Sequence, residues 1–211
     1  MKRNNPKKMR LSAAERKDQI VSVATSLFAA RGFSGTTTRQ IAEAAGISEA
    51  VIYRHFSNKD ALFDAIINAR CSDTQGNSRL LVRLKGMQGK EFFREIAAFL
   101  ISEHRQDDSF LRLLIYSALE GHGLSEKFMN TRGMEFFEHI QVQIKLLVKE
   151  GSFRADIDPL LVSRAFLGMV AYYSISQEIF GLGKHFKRPD AEVVNAFVDI
   201  FFDGMLKVSR R

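Results

Sequence analysis

Apolar residues recur at helical spacing along most of the chain. Ile20, Val23, Ala24, Leu27 and Phe28 fall at offsets of 3, 4, 7 and 8 and predict an amphipathic helix that stops at Gly32. Thr37-Thr38-Arg39-Gln40 has the form of a capping box, in which a Thr side chain caps an orphan N–H and the Gln reaches back. It opens a short helix through Ile41, Ala42 and Ala45; Gly46 closes that helix as a left-handed cap, and Ser48 can cap a third. On the third helix Ile52 and Phe56 share one side with Ile47, and at about 100° per residue the opposite side carries Ala50, Tyr53 and Arg54. Helix, short glycine-containing turn, helix is the helix-turn-helix pattern; an ordinary helical hairpin of a core is the alternative.

After Leu62 the same periodicity continues. Ala65, Ile66 and Ala69 extend a fourth helix, although the polar run 71–77 argues against an unbroken course to Leu84, and a break is expected between Gly86 and Gly89. Phe92, Ile96, Phe99 and Leu100 predict one helix; Phe110, Leu111, Leu114, Ile115 and Ala118 a second; Phe137, Ile140, Ile144 and Leu147 a third, closed near Gly151. Asp158-Pro159 and then Pro189 start two more. No Gly-rich strand-turn-helix and no repeat interrupts the series. The expected fold class is therefore all-α, with a basic arm at 1–12, a three-helix module at 13–60 and a helical body at 61–211.

Charge sharpens this division. Residues 1–60 hold 11 Lys and Arg against 5 Asp and Glu, whereas the remainder holds 20 against 19, so nearly all of the net +7 sits at the N-terminal end. Of 18 Phe, 15 follow residue 60. A small basic module ahead of a near-neutral, Phe-rich body is the footprint of a polyanion partner on one module, or a solvated basic surface. Lys2, Arg3, Lys7, Lys8 and Arg10 suit an arm on the minor groove or phosphates, and equally a solubilising tail. The start MKRNNPKKMR has no apolar signal segment and a lone Cys cannot form an internal bridge, which makes the cytoplasm the expected compartment.

Gly32-Phe33 and the stretch TTTRQIAEAAGISEAVIYRHFSNKDAL from Thr36 to Leu62 resemble the signature of the TetR family of bacterial transcriptional repressors, carried by Thr37-Thr38, Ile41-Ala42, Ala45-Gly46-Ile47-Ser48, Tyr53, His55-Phe56 and Lys59-Asp60-Ala61-Leu62. The resemblance covers roughly residues 15–65. It implies that Thr37 and Thr38 anchor the second helix to phosphate, that Arg39 reads a base edge, and that Tyr53, His55 and Lys59 are phosphate ligands. Ser48, Glu49, Ala50 and Arg54 complete the candidate DNA surface. Ala50 and Val51 stand where the family often has Gly or Pro and a hydroxyl or small residue, which shifts any reading there toward methyl contact with thymine. Glu49 has two available roles: acceptor for cytosine N4, or complement to the helix dipole.

Two later segments carry more apolar surface than a body helix needs. Residues 160–180 hold only Arg164 and Glu178 as charges; a membrane span is disfavoured by Ser163, Arg164, Ser174, Ser176 and Gln177. In the last helix apolar residues fill an arc of about 240°, against the roughly 100° that burial on one neighbour requires. The surplus suggests a second packing partner, and the resemblance implies that the last two helices pair across a two-fold axis. The expected homodimer contacts are Leu161, Ala165, Gly168, Tyr172, Val194, Phe197, Val198 and Phe201.

The aromatic body also suggests an apolar effector cavity walled by Phe99, Tyr116, Phe137, Phe166, Met169 and Tyr173, with Arg112 and Glu120 as polar handles on a stripe that equally suits water. Ordinary core packing is the alternative reading of those aromatics. His104, His122 and His139 show no metal-ligand spacing and Cys71 has no partner motif, so no catalytic residue, metal or cofactor is expected. The function that fits is a dimeric repressor on palindromic double-stranded operator DNA, released by a small hydrophobic effector. Its rivals are a helical-bundle enzyme with a basic accessory end and a ligand-independent DNA-binding protein.

Overall fold

The computed structural model describes residues 11–72 and 80–206. The expected basic arm lies outside the described residues except for Leu11 and Ser12. The described elements are α1 (Ala13–Arg31), α2 (Thr38–Ala45), α3 (Glu49–His55), α4 (Lys59–Ser72), a helical stretch α5 at 80–84, α6 (Gly89–Gln106), α7 (Ser109–Glu120), α8 (Leu124–Phe128), α9 (Met134–Lys149), α10 (Pro159–Ser174) and α11 (Asp190–Met205). Single π turns occupy Met129–Gly133 and Ile175–Ile179. Among the described residues there is no strand, and the expected all-α class is what the chain adopts.

Local chemistry explains the starts and stops. Ser12 opens α1 by a capping box, its Oγ accepting the Glu15 N–H at 3.2 Å while the Glu15 carboxylate accepts the Ser12 N–H at 2.8 Å. These bonds hold the Glu15 carboxyl below its ordinary pKa. Asp158 caps α10 by accepting the Leu160 N–H at 2.8 Å, with Pro159 in the first turn where its missing donor costs nothing.

The helices bury two cores. The first joins Ile20, Ala24 and Phe28 of α1 with Ile41, Ala42, Ile52, Phe56, Leu62, Phe63, Ile66 and, from α7, Leu113. This core thus takes side chains from beyond residue 60. The second gathers Phe92, Phe93, Ile96, Ala97 and Ile101 of α6, Ile140 and Ile144 of α9, Phe153, Phe166 and Val170 of α10, and Val194, Val198, Phe201 and Phe202 of α11. Phe93 lies at its centre, with ring centroids 4.9 Å from Phe166, 5.0 Å from Phe201 and 5.4 Å from Phe202.

Pairings fix the helix directions. Lys90–Asp199 at 2.8 Å and Arg105–Asp190 at 2.6 Å set α6 antiparallel to α11. The Phe166–Phe201 and Tyr173–Phe197 ring pairs, at 5.1 and 5.6 Å, set α10 antiparallel to α11. Helices α6 and α10 therefore run the same way.

This packing changes which surface is free. Val194, Val198 and Phe201, expected at a dimer contact, are buried in the chain's own core, and Phe197 is half-buried against Tyr173. The wide arc of α11 is filled because α11 packs on both α6 and α10. The open apolar face belongs to α10, where Leu161 is 64% and Tyr172 65% exposed and Ala165 and Gly168 are also exposed; on α11 Ile200 is 63% exposed.

Candidate nucleic-acid interface

The turn between α2 and α3 is set by Gly46 at φ 65°, a left-handed conformation whose N–H satisfies the carbonyls of Ala42 and Glu43. Ile52 and Phe56 are buried beneath α3, so Ala50, Tyr53 and Arg54 are turned outward and exposed, with His55 half-buried at the helix end. Ser48 stands at the N-cap without a side-chain cap bond.

Thr37 forms the expected capping box: its Oγ1 accepts the Gln40 N–H at 3.2 Å and the Gln40 side chain accepts the Thr37 N–H at 2.9 Å. Thr38 is buried; its hydroxyl donates to the Glu49 carboxylate and lies 3.2 Å from the Tyr53 hydroxyl. One Glu49 oxygen is thereby engaged, and the two helices are stitched at the surface that would face a groove. Arg39 is exposed and pairs with Glu43 at 3.0 Å across one turn of α2.

Lys59 departs from its expected role as a phosphate ligand. Its Nζ donates to the carbonyls of Phe33 and Thr36, both at 2.9 Å, and sits 4.0 Å from the centre of the Phe33 ring. It braces the α1–α2 turn from inside. Thr36, which sequence reasoning passed over, is fully buried in the same turn and donates to the Gly32 carbonyl at 2.9 Å.

The expected effector stripe is likewise spent elsewhere. The Glu120 carboxylate accepts the N–H groups of Phe33 at 2.9 Å and Ser34 at 3.2 Å, and the Tyr116 hydroxyl donates to the Ala30 carbonyl at 3.5 Å. Gly32 makes this approach possible: its φ is 74°, and a Cβ there would meet Glu120 Oε1 at 2.6 Å and Tyr116 Cδ1 at 2.9 Å. The His122 ring packs 4.2 Å from that of Phe33. Arg112 is bonded to Asp108 at 2.7 Å and to the Glu178 carbonyl at 2.9 Å. Tyr116 and Glu120 thus join the body to the basic module, Arg112 ties α7 to the turn after α10 within the body, and all three are engaged in these bonds.

Of the other expected cavity residues, Phe166 is fully buried in the second core, Phe99, Met169 and Tyr173 are half-buried against it, and Phe137 is half-buried on α9. A small hollow of about 10 Å³ lies beside α9, lined by Leu81, Glu135, Phe136 and His139. It involves none of those residues and falls below the roughly 300–1,000 Å³ of drug-sized sites. Among the described residues no cluster of His, Cys, Asp and Glu could hold a metal ion, and no helix is long and apolar enough to cross a membrane.

Residues 20–66 match the family described as bacterial regulatory proteins, tetR family. The HTH-type transcriptional repressor KstR2 of Rhodococcus jostii is 31% identical over 163 residues, covering 76% of this chain and 78% of that protein. The fold is shared with solved structures: AibR in complex with isovaleryl coenzyme A and operator DNA, at TM-score 0.67 and 24% identity, covers 89% of this chain and 98% of that one. FadR from Bacillus subtilis in complex with stearoyl-CoA gives TM-score 0.68 at 17% identity, with the same coverage of 89% and 98%.

Proposed function

The chain belongs to the tetR family of bacterial regulatory proteins and is a DNA-binding transcriptional regulator, not an enzyme; from that premise we propose that it represses transcription as a homodimer on a palindromic operator and is released by a small apolar effector. The observation that carries the DNA reading is the division of α3. Ile52 and the following Phe56 anchor it, and Ala50, Tyr53 and Arg54 remain exposed beside Thr37 and Arg39. That surface offers a methyl group, hydroxyls and two guanidinium groups, the chemistry that reads base edges and holds phosphates. Lys59 is left out of this set.

Two-fold pairing is supported by the open face of α10, where Leu161, Ala165, Gly168 and Tyr172 recur at helical spacing with Ile200 of α11 nearby in the antiparallel pair. A two-fold axis would present two recognition helices to half-sites a helical turn, or a multiple of it, apart. The complexes of AibR and FadR make coenzyme A thioesters, whose acyl chain is apolar but whose carrier is a large polyanion, the rival class to try beside a small apolar effector. Such a regulator works in the cytoplasm, beside its operator.

Selection of bound fragments from random double-stranded DNA tests the function. An inverted repeat supports it; recovery without sequence preference overturns it. Titrating isovaleryl-CoA and stearoyl-CoA into the selected complex then separates a ligand-released repressor from a ligand-independent DNA-binding protein.

A further inference from the structure

Ser174, the last residue of α10, is 3% exposed and its hydroxyl has no hydrogen-bond partner in the protein. Neighbouring buried serines behave otherwise: Ser163 donates to the Leu160 carbonyl and Ser176 to the Tyr173 carbonyl, both at 2.8 Å. His104 near the end of α6 has the same peculiarity, with Nδ1 inaccessible and unpartnered. Burial lowers its pKa, so the ring is neutral near pH 7.

The parallel run of α6 and α10 places these two groups within about one turn of each other along the helix pair. Phe93 of α6 packs edge-on against Phe166 of α10 at 4.9 Å. By equal helical rise from that pair, Ala97 falls opposite Val170 and Ile101 opposite Ser174; Ala97, Val170 and Ile101 are all buried. His104 follows on the face of Ala97 and Ile101, at the i+7 and i+3 positions. A bonded corner closes this end of the pair. Asp108, at the start of α7 just after α6 ends, pairs with Arg112 at 2.7 Å, and Arg112 holds the carbonyl of Glu178, in the turn after Ser174, at 2.9 Å. Here α10 also passes into the π turn Ile175–Ile179, a backbone form that recurs at functional sites.

Resting on the effector-released reading above, we propose that Ser174 and His104 form a recognition point for an uncharged oxygen, the carbonyl or hydroxyl of an otherwise apolar effector. A hydroxyl and a neutral imidazole each donate or accept one bond, which such an oxygen satisfies. The cations of this corner are already committed, Arg112 to Asp108 and Glu178 and Arg105 to Asp190, so a carboxylate would arrive without a counter-charge. The surrounding Ile101, Val170 and Phe166 suit a hydrocarbon skeleton.

The test uses the full chain and three probes of one shape: 2-decanone, 2-methyl-1-decene and nonanoate, each titrated by heat stabilisation. The ketone should bind about tenfold more tightly than the alkene and the carboxylate, and Ser174→Ala or His104→Phe should bring ketone and alkene level. Free Ser174→Ala should unfold at the wild-type temperature or above it, since its hydroxyl has no partner to lose. A preference for nonanoate, an unchanged ketone-to-alkene ratio in both variants, binding of none of the three probes, or a lowered midpoint for free Ser174→Ala would each overturn the proposal. Operator selection by the wild-type protein is read separately, so failure of this site leaves the DNA function standing.

Discussion

An ammonium that holds two carbonyls and packs on an aromatic ring has one N–H left for any other partner. Lys59→Ala should therefore act on stability, lowering it by about 1–3 kcal/mol as the carbonyls of Phe33 and Thr36 lose their donor. The salt dependence of operator binding should change by much less than the slope of about one per subunit that a lost phosphate contact gives. Denaturant titration and a salt series check the two halves. Arg39 is the opposite case, because its pair with Glu43 is exposed on both sides, contributes about 0–1 kcal/mol and can be exchanged for guanine. Arg39→Ala should relax preference at one position of each half-site at a cost of about 1–3 kcal/mol; an unchanged selected sequence would refute base reading there. His104 predicts an acid sensitivity. Its folded pKa lies below the ordinary value of about 6.5, so the unfolded chain takes the proton first; stability is complete above that value and falls as pH drops through it. Denaturation midpoints at pH 7.5 and 5.5 should differ less in His104→Phe than in the wild type. What could be read in advance at this scale was local. The Thr37–Gln40 box follows from spacing alone, whereas Lys59 meets Phe33 across 26 residues and Glu120 meets it across 87, separations that leave no periodic trace.

At the scale of the element, period and burial are legible but the identity of the covering neighbour is not. The arc of α11 correctly marks a helix covered on more than one side, yet the second cover is α6 of the same chain, as the Phe93–Phe201 contact shows. Helix α10 is the reverse, buried through Val162, Phe166 and Val170 and open through Leu161 and Tyr172. Leu161→Glu or Tyr172→Glu should shift the proposed dimer toward monomer, at a cost of several kcal/mol if the charge meets a dry contact. Val198→Glu should instead compromise folding, because that side chain is fully buried within one chain. Mass in solution with circular dichroism separates the outcomes, and a monomeric wild type at micromolar concentration would refute the pairing. The fourth helix shows a different limit: the polar run 71–77 argued against an unbroken course to Leu84, and beyond Ser72, where α4 ends, the rest of that run lies outside the described residues.

For the molecule as a whole, the connection between body and basic module is concentrated in α7. One end is tied through Arg112 to the π turn after α10, and the other places Glu120 against the Phe33 and Ser34 N–H groups, with Leu113 between them in the first core. An effector acts only by preferring one arrangement of such a joint. Glu120→Ala should leave operator affinity within a few-fold of wild type and blunt release by effector; an unaltered effector response would show that the Glu120 contact carries no coupling. Leu113 has a further consequence for anyone who would treat the reading head as a portable part. Cut free after residue 60, the head would leave behind Leu62, Phe63, Ile66 and Leu113, the lining against which Phe28 rests. In a chimera, a foreign body would have to present its own aliphatic plug at that spot and a carboxylate beside Gly32, so heads and bodies of this architecture should be interchangeable only as matched pairs.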